Sequence, residues 1–408
     1  MRGHVRRRCD CPMVDGAKGK KKVCVPGCSA PYVVIVDLGR DVDTNKRRQK
    51  WHSGYRTKRD AEHALTELLG RLDTGSYVAP TRQTFKDYLE KDWLPGIKPT
   101  LRESTFNSYS KNVRLHVIPH LGGLPLAKVD GPRLNQLYAA LLAGEDRRAL
   151  SPRTVQYVHT IVHRALKDAV RWSRLPRNAA DAADPPRVGT NDRVAKRTWT
   201  AAELTTALAG LAGDRLRGLW RTLAMTGMRR GEALGLRWED IDLDAATANI
   251  SRTLVEVGPR RVGSSGIAWS TPKTSKGRRQ VALDAVTVIA LRAHRRRQAE
   301  EKLLAGAGYR EEGLVFAEID GTPLHPKSVS RTWERLVRHL QLPNLTIHGL
   351  RHTYCTLALA AGVHPRVVQE RVGHASVGIT LDTYSHVNPA MQADAADRVA
   401  ALLIGGGA

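Results

Sequence analysis

The sequence lacks the features of a secreted or membrane-embedded protein. No apolar run approaches the roughly 20 residues that cross a bilayer, and the basic residues 1–8 are not followed by the apolar segment of a secretory signal. Only five cysteines occur, and four of them fall within residues 9–28, which is not a disulfide framework spread over a domain. We therefore predict a soluble protein of the cytoplasm with no membrane partner.

Two motifs of phosphate chemistry are also missing. The chain contains no glycine-rich loop of the Walker type and no acidic cluster that would hold two catalytic metal ions. These absences argue against a P-loop nucleotide hydrolase and against two-metal phosphoryl transfer. Aromatic residues make up only 5% of the chain, so each of them is worth examining.

Positive charge is abundant. The chain has 65 Lys and Arg residues against 40 Asp and Glu residues, a formal net charge of +25. Arginine favours planar, bidentate contacts with phosphate, and an excess of this size along the whole chain indicates nucleic-acid binding. A ribosomal-type scaffold or codon bias is the alternative, although codon bias does not explain so large an imbalance over acidic residues.

The length of 408 residues is enough for two to four domains with hydrophobic cores. A stretch rich in Pro, Gly and Asp near the middle of the chain breaks every hydrophobic period and marks a linker. We predict a multidomain, mainly α-helical fold with a Cys-rich basic arm at 1–30, a small sheet plus helix at 31–80, a helical domain at 81–180, a linker at 181–198, a mixed α+β domain at 199–390 and a tail at 391–408.

Helix caps can be predicted at two places. Ser151 precedes Pro152 and an apolar stripe, which predicts an N-cap and first turn for a helix over 151–173. Thr200 stands three residues before Glu203, the pattern of a capping box at the start of the larger domain.

Four cysteines near the start form a C-x-C pair and a C-x-x-x-C pair. Their thiolates could hold a tetrahedral zinc ion and so fold a segment that has no core. The alternative is four reduced thiols in a loose basic arm. The predicted structural zinc ligands are Cys9, Cys11, Cys24 and Cys28.

The small sheet carries a run of basic residues. Such a run is usually a solvated face, but on a small sheet in a basic protein a surface that inserts into a DNA groove is at least as plausible. The predicted DNA-binding residues of this sheet are Lys46, Arg47, Arg48 and Lys50.

The larger domain contains four short motifs with phosphate chemistry. Arg229, in TGMRRGE, begins a helix, where a guanidinium adds to backbone N–H groups in binding phosphate, and Glu232 one turn later can hold that guanidinium. His348 and Arg351 are spaced i, i+3 and share a helix face. We interpret 271–283 as the turn and second strand of a β-hairpin, with Lys273 near its tip.

The remaining motif residues complete a set suited to phosphodiester chemistry without a metal ion. Two arginines can clamp the oxygens where negative charge grows, and a tyrosine phenol can attack phosphorus. Lys273 can protonate the departing oxygen. His374 follows a glycine that ends a helix, and Tyr384 lies ten residues further on, in ITLDTYSHV.

These residues resemble the tyrosine recombinase (phage integrase) family, of the larger type with an N-terminal arm-binding domain. The resemblance rests on T-G-x-R-x-G-E at 226–232, H-x-L-R-H at 348–352, G-H at 373–374 and Y-S-H at 384–386. It implies that Arg229 and Arg351 bind the scissile phosphate, and that His374 hydrogen-bonds it.

The same resemblance implies the other catalytic roles. Tyr384 would be the nucleophile that forms a 3′-phosphotyrosyl link, His348 would assist proton transfer and Glu232 would support Arg229. Lys273 would be the general acid, and Lys276 competes with it for that role. No cofactor is expected for catalysis.

The resemblance further implies a C-shaped clamp on DNA, made by the helical domain and a catalytic domain of the DNA breaking-rejoining type. The expected function is site-specific recombination of a phage or mobile element through a Holliday junction. Expected partners are double-stranded attachment sites, a homotetramer, an excisionase and a DNA-bending host factor. The alternatives are a type IB topoisomerase-like nicking-closing enzyme and a DNA-binding regulator without catalysis.

Overall fold

The computed structural model of the chain describes residues 3–9, 11, 13–16, 19–22, 28–40, 44–73, 82–145, 148–189, 197–258, 266–271, 277–378 and 400. The chain divides into two compact units, Met1–Val188 and Gly189–Ala408. Among the described helices, none combines the length and the apolar composition that a bilayer-spanning segment requires.

A small antiparallel sheet backed by one helix begins the first unit. Its elements are β1 Gly3–Arg7, β2 Met13–Gly16, β3 Gly19–Lys22, β4 Tyr32–Arg40, β5 Arg47–Tyr55 and helix α1 Lys58–Asp73. The three-stranded sheet has the order β1-β4-β5, and β2 pairs with β3 as a separate ribbon. Val34 and Val36 of the central strand pack on Ala61 of α1, and all three are fully buried.

The first strand of this sheet comes from the segment predicted as a Cys-rich arm. Residues Gly3–Arg7 pair with the apolar strand β4 in a regular antiparallel register. The sequence predicts a sheet that starts at residue 31, because a strand with one valine among basic residues shows little alternation of apolar and polar side chains.

Helices make up the rest of the first unit. They are α2 Phe85–Asp87, α3 Leu94–Ile97, α4 Glu103–Asn112, α5 Ile118–Leu121, α6 Gly131–Ala143 and α7 Pro152–Arg171. Wide π-helical turns, Tyr88–Trp93 and Val113–Val117, join α2 to α3 and α4 to α5. The predicted cap of α7 is confirmed, because the Ser151 hydroxyl accepts a hydrogen bond from the Thr154 backbone N–H at 3.3 Å.

The second unit is a helical domain with two small sheets. Its elements are α8 Ala201–Gly210, α9 Arg217–Thr226, α10 Arg230–Leu234, β6 Ile241–Asp242, β7 Thr247–Ile250, β8 Thr253–Glu256, β9 Ile267–Ser270, β10 Arg279–Ala282, α11 Ala285–Ala305, α12 Pro326–His339, α13 Ile347–Ala360 and α14 Pro365–Val372. The predicted capping box of Thr200 and Glu203 is present at the start of α8.

The strands of the second unit correct one interpretation. Strand β10 pairs with β7 in the order β10-β7-β6, whereas β9 pairs with β8. The predicted hairpin of β9 and β10 is therefore wrong. Periodicity along the chain locates strands but does not identify their partners, and β7 offers β10 a regular four-residue register.

Three tryptophans form the centre of the second unit's core. Trp199, Trp220 and Trp333 are buried, and the ring of Trp333 lies 5.7 Å and 5.4 Å from those of Trp199 and Trp220. The indole N–H of Trp333 donates to the Leu345 carbonyl at 2.7 Å. This contact fixes the segment that enters α13, the helix that carries His348 and Arg351.

Candidate active site

Arg229 lies at a turn that requires glycine. Helix α9 ends at Thr226, and Gly227 follows in the left-handed conformation with φ +63°. A Cβ atom at Gly227 would lie 2.8 Å from Tyr354 and 2.9 Å from Val372. Glycine is therefore favoured at Gly227 by both its backbone angle and its surroundings. The turn places Arg229 at the N-cap of α10.

A buried carboxylate holds the Arg229 side chain. Glu232, only 2% exposed, accepts hydrogen bonds from the Arg229 backbone N–H at 3.0 Å and from Arg229 Nη1 at 2.7 Å. Arg229 Nη2 donates to the Gly373 carbonyl at 3.0 Å. The guanidinium is thus fixed from two sides, yet its side chain stays partly exposed.

Arg351 projects from α13 into the same region. It is 1% exposed, and its Nη1 donates to the carbonyl of Gly227 at 2.8 Å, two residues before Arg229. Its Nη2 is buried and hydrogen-bonds to no atom of the described residues. A buried cationic group with an unpaired N–H costs free energy unless an anion binds it.

The surroundings of Arg351 lower its pKa to about 10. Burial is the largest cause, and the positive charges of Arg229 and Arg279 act in the same direction, while Glu232 opposes them. The structure therefore brings Arg229 and Arg351 together, as the phosphate-clamp prediction requires.

Glu232 is ionised within this positive cluster. Burial alone would raise the pKa of its carboxyl group. The hydrogen bonds and charges of Arg279 and Arg229 outweigh burial and hold that pKa below its ordinary value.

His374 is placed beside Arg229 by a second glycine turn. Helix α14 ends at Gly373, which has φ +69° and whose carbonyl is the acceptor for Arg229. His374 is 6% exposed. Its backbone N–H donates to the Gln369 carbonyl at 3.1 Å, and its carbonyl accepts from Gln369 Nε2 at 3.1 Å. Burial and two backbone contacts hold the residue in place.

His348 occupies the exposed first turn of α13. Its ring meets that of His352 edge-on, with the centroids 4.8 Å apart. His352 itself is buried. His348 thus lies one turn before Arg351 on the same helix.

One arginine of this cluster is not identified by the sequence motifs. Arg279, the first residue of β10, donates from Nη2 to Glu232 Oε2 at 2.9 Å and from Nε to the Arg371 carbonyl at 2.7 Å. Its position directly after the predicted lysine loop was the available signal. Nothing in the local pattern distinguished it from its neighbour Arg278.

Three predicted catalytic residues lie outside the described residues: Lys273, Lys276 and Tyr384. Their roles stay predictions. The preference for Lys273 over Lys276 rested on the hairpin of β9 and β10, so the choice between the two lysines is open again.

The basic residues of the small sheet fall on two faces. Strand register pairs Lys50 with Val36, on the side of α1, and Trp51 with Ile35, on the opposite side. Arg48 shares the side of Lys50, whereas Arg47 shares that of Trp51 because side chains alternate along a strand. Lys46 precedes the strand and is exposed.

The face away from α1 carries two residues that sequence analysis did not single out. Trp51 is 45% exposed, and the Arg6 guanidinium lies 4.3 Å from its ring centroid. We call this surface, defined by Arg6, Arg47 and Trp51, the open sheet face. Arg47 also pairs with Asp37 on it.

Three of the four predicted zinc ligands lie together. The sulfur atoms of Cys9, Cys11 and Cys28 are all within 4.8 Å of one another, and the Cys11 and Cys28 sulfurs are 3.7 Å apart. Cys24 lies outside the described residues.

Comparison with family models matches most of the chain. Residues 201–391 match the phage integrase family, residues 84–141 match the N-terminal SAM-like domain of phage integrases, and residues 29–72 match an arm DNA-binding domain. A XerC-like tyrosine recombinase of Caldanaerobacter subterraneus subsp. tengcongensis is 26% identical over 386 residues, which are 91% of this chain and 96% of that protein.

Solved structures share the fold. The Tn1549 transposon integrase in complex with a circular intermediate DNA has a TM-score of 0.62 at 21% identity, with 78% of this chain and 99% of that chain covered. The lambda integrase tetramer bound to a Holliday junction has a TM-score of 0.53 at 16% identity, with 86% of this chain and 91% of that chain covered.

The Glu232 carboxylate predicts a pH-dependent stability. Its lowered pKa means that its contribution is fully present above the ordinary value of 4.5 and is lost as the pH falls through the lower folded-state value. We expect Glu232→Gln to be less stable than the natural protein by about 1.5–3 kcal/mol at pH 7. That difference should shrink below pH 4.5, because glutamine resembles the protonated acid.

Urea unfolding of both proteins between pH 7 and pH 3 measures this difference. Glu239→Gln, which changes an exposed carboxylate paired with Arg252, is the control and should shift stability little at any pH. A difference for Glu232→Gln that stays constant down to pH 3 would contradict the assignment of an ionised, buried carboxylate.

Proposed function

Because the chain belongs to the tyrosine recombinase (phage integrase) family, of the larger type with an N-terminal arm DNA-binding domain, we propose that it recombines DNA through a 3′-phosphotyrosyl intermediate. It is a tyrosine-type site-specific recombinase. The observation that supports the chemistry best is the approach of the partly exposed Arg229 to the buried Arg351. The Arg351 Nη2 group hydrogen-bonds to no atom of the described residues.

The first step is attack of a phenol oxygen on phosphorus. Arg229 and Arg351 bind the non-bridging oxygens of the scissile phosphate, where negative charge grows as the pentacoordinate transition state forms. Glu232 holds Arg229 at its N–H and guanidinium. His374 hydrogen-bonds the phosphate, and Gln369 holds the His374 backbone by a hydrogen bond to its carbonyl.

The Tyr384 oxygen gives its proton to His348 and forms a bond to phosphorus, while the bond from phosphorus to the 5′-oxygen breaks. Lys273 or Lys276 protonates that oxygen, and His348 assists proton transfer. The products are a 3′-phosphotyrosine and a free 5′-hydroxyl. A 5′-hydroxyl of a second strand then reverses the step and joins the strands.

Side chains supply the positive charge and the protons of this mechanism. The family accordingly needs no cofactor for catalysis.

We further propose that the chain binds double-stranded attachment sites as a homotetramer. A solved relative is a tetramer on a Holliday junction, which supports exchange of strands in pairs. The integration and excision of a phage or mobile element follow from this activity, in the cytoplasm where the DNA lies. An excisionase and a DNA-bending host factor would set the direction, and the tail from 391 would dock on a neighbouring protomer.

The arm-type domain is proposed to bind DNA through the open sheet face. That surface presents a cation and an exposed aromatic ring side by side. Arg47 extends the same row, while Lys46, Arg48 and Lys50 line the edge strand, where they can contact phosphates beside the groove. This proposal joins the residues predicted from sequence to Arg6 and Trp51.

The cysteines are proposed to hold a structural zinc ion. Zinc sites use four ligands, usually thiolates or imidazoles in a tetrahedral arrangement. Cys9, Cys11 and Cys28 offer three sulfurs at one point, and Cys24 would be the fourth ligand. The ion would connect the end of β1 to the segment that enters β4.

The nucleophile can be tested with a nicked duplex that traps the covalent adduct. We expect adduct from the natural protein, and none from Tyr384→Phe, because the phenyl ring has no oxygen to attack phosphorus. Tyr309→Phe, which alters a tyrosine of α11's C-terminal loop, is the matched control and should form adduct normally. Adduct that persists in Tyr384→Phe would end the assignment.

The same proteins separate recombination from nicking and closing. Paired attachment sites should yield Holliday junctions and recombinants. Relaxation of supercoiled DNA without any product from paired sites would favour the topoisomerase-like alternative, and DNA binding without adduct would favour the non-catalytic one.

The open sheet face predicts a salt-dependent contribution to DNA affinity. We expect Arg6→Gln to weaken duplex binding and to reduce the slope of log affinity against log salt by about 1, the effect of one lost phosphate contact. Fluorescence anisotropy at several salt concentrations measures the slope. Lys58→Gln removes an exposed cation on α1 and should leave the slope unchanged. An equal effect of both changes would refute a specific role for this face.

The zinc site predicts a defined metal content. The chain purified under reducing conditions should contain about one zinc ion, and Cys28→Ser should lose it because a hydroxyl is a poor zinc ligand. Elemental analysis gives the ratio. Cys355→Ser changes a buried cysteine of the second unit and should keep the metal. Natural protein without stoichiometric zinc would contradict the site.

A further inference from the structure

Arg279 occupies the junction of three parts of the second unit. Its Nη2 donates to Glu232 at 2.9 Å, its Nε to the Arg371 carbonyl at 2.7 Å and its Nη1 to the Gly277 carbonyl at 3.2 Å. Each guanidinium nitrogen therefore has a protein partner. The side chain is only 7% exposed, so it lies beneath the surface that a DNA phosphate could reach.

We propose that Arg279 is a positioning residue for strand cleavage, acting through the Glu232 carboxylate and the end of α14. This inference rests on the function proposed above. Arg279 touches no reacting atom. It acts on the residues that are proposed to touch the phosphate, Arg229 and His374. The contacts of its guanidinium with Glu232 and with the Arg371 carbonyl produce this effect.

The first effect of Arg279 is on the orientation of Glu232. The Glu232 Oε2 atom accepts both the Arg279 Nη2 and the Arg229 backbone N–H, while Oε1 accepts the Arg229 Nη1. Without Arg279 the carboxylate would lose one of its three anchors and could rotate about its last torsion. Arg229 would lose its fixed direction, and misplacement of a clamp by about 1 Å can cost about 100-fold in rate.

The second effect is on charge. Within this group of ionised side chains, Arg229, Arg279 and Arg351 are positive and Glu232 is negative. Arg279 offsets the carboxylate, so that the charges of Arg229 and Arg351 remain available to a phosphate. Without Arg279, Glu232 would neutralise more of the field at the point where the transition state gains negative charge.

The third effect is on the end of α14. Arg279 donates to the Arg371 carbonyl, and Arg371 Nη2 donates back to the Ala282 carbonyl at 2.8 Å. This reciprocal pair ties β10 to the last turn of α14. Gly373, whose carbonyl accepts from Arg229, and His374 follow that turn immediately. Arg279 thus connects β10 to His374, the residue predicted to hydrogen-bond the phosphate.

The test is the rate of covalent adduct formation on a nicked duplex at saturating DNA. We expect Arg279→Gln to slow this rate by about 10- to 100-fold, as for other residues that orient a reacting group, with little change in DNA affinity. Arg279→Lys should recover part of the rate, because an ammonium can contact Glu232 but cannot also span to Arg371. Arg292→Gln, which removes a surface pair with Asp244, is the matched control.

Two further measurements distinguish positioning from a general loss of structure. A neutral methylphosphonate at the cleavage position should reduce the loss of adduct-formation rate that Arg279→Gln causes. Less negative charge then develops between Arg229 and Arg351 in the transition state. The double variant with Glu232→Gln should be no slower than the slower single variant, because the two residues act as one unit. Thermal unfolding identifies any variant that does not fold. If Arg279→Gln does not fold, Arg279→Lys takes its place in the comparison of adduct-formation rates.

The outcomes separate this inference from the function on which it rests. Absence of adduct from the natural protein would overturn the proposed function. Normal adduct from the natural protein and an equal rate from Arg279→Gln would overturn only the role of Arg279. Equal losses on the phosphate and methylphosphonate substrates, or additive losses in the double variant, would also overturn it.

Discussion

Two arginines share one buried carboxylate, and the candidate site depends on that arrangement. An ionised carboxylate removed from water needs compensation by charge and by hydrogen bonds, and Arg229 and Arg279 supply both to Glu232. Arg351 adds a further positive charge that is buried, and among the described residues no carboxylate hydrogen-bonds to it. The cluster therefore has more positive than negative charge, which a packed core does not normally tolerate. An anion-binding site explains this imbalance, and the DNA phosphate is the anion that the family acts on.

Backbone carbonyls complete the orientation of the arginines. Gly227 and Gly373 each end a helix in the left-handed conformation, and each offers its carbonyl to one arginine, Arg351 and Arg229 respectively. Backbone acceptors cannot rotate away as side chains can. The guanidinium groups are thus preorganised before any substrate arrives, which is the condition under which electrostatic stabilisation of a transition state is most effective. This explains in physical terms why glycine accompanies the basic residue in both motifs.

The residues of this site that stand in short sequence motifs could be predicted. The residue whose position depends on contacts between distant parts of the chain could not. Arg229, Glu232 and His374 stand beside helix ends, so their neighbours in sequence are also their neighbours in space. Arg279 contacts Glu232, which lies 47 positions earlier in the chain, and Arg371, which lies 92 positions later. Its partners follow from the pairing of β10 with β7 and from the approach of α14, which periodicity does not encode.

The small sheet shows the same division between local and long-range information. The apolar strand β4 and the helix α1 were predicted from composition and period. The third strand, Gly3–Arg7, forms only because β4 offers a free edge to a basic segment with little strand character of its own. The contact of Arg6 with Trp51 depends on that pairing. Counting basic residues along β5 could not show which of them share a face with the tryptophan.

The surroundings of Arg351 also explain why this position holds arginine and not lysine. Burial and two neighbouring guanidinium groups lower its pKa from the ordinary value of an arginine to about 10, so the side chain remains fully charged at neutral pH. A lysine has an ordinary pKa of about 10.4, and the same surroundings would lower it as they lower that of the arginine. An ammonium group would therefore hold its charge less securely at this position, where the proposed mechanism requires a cation. A buried phosphate clamp made of several neighbouring cations therefore needs side chains whose charge survives both burial and mutual repulsion, and only the guanidinium group meets that requirement.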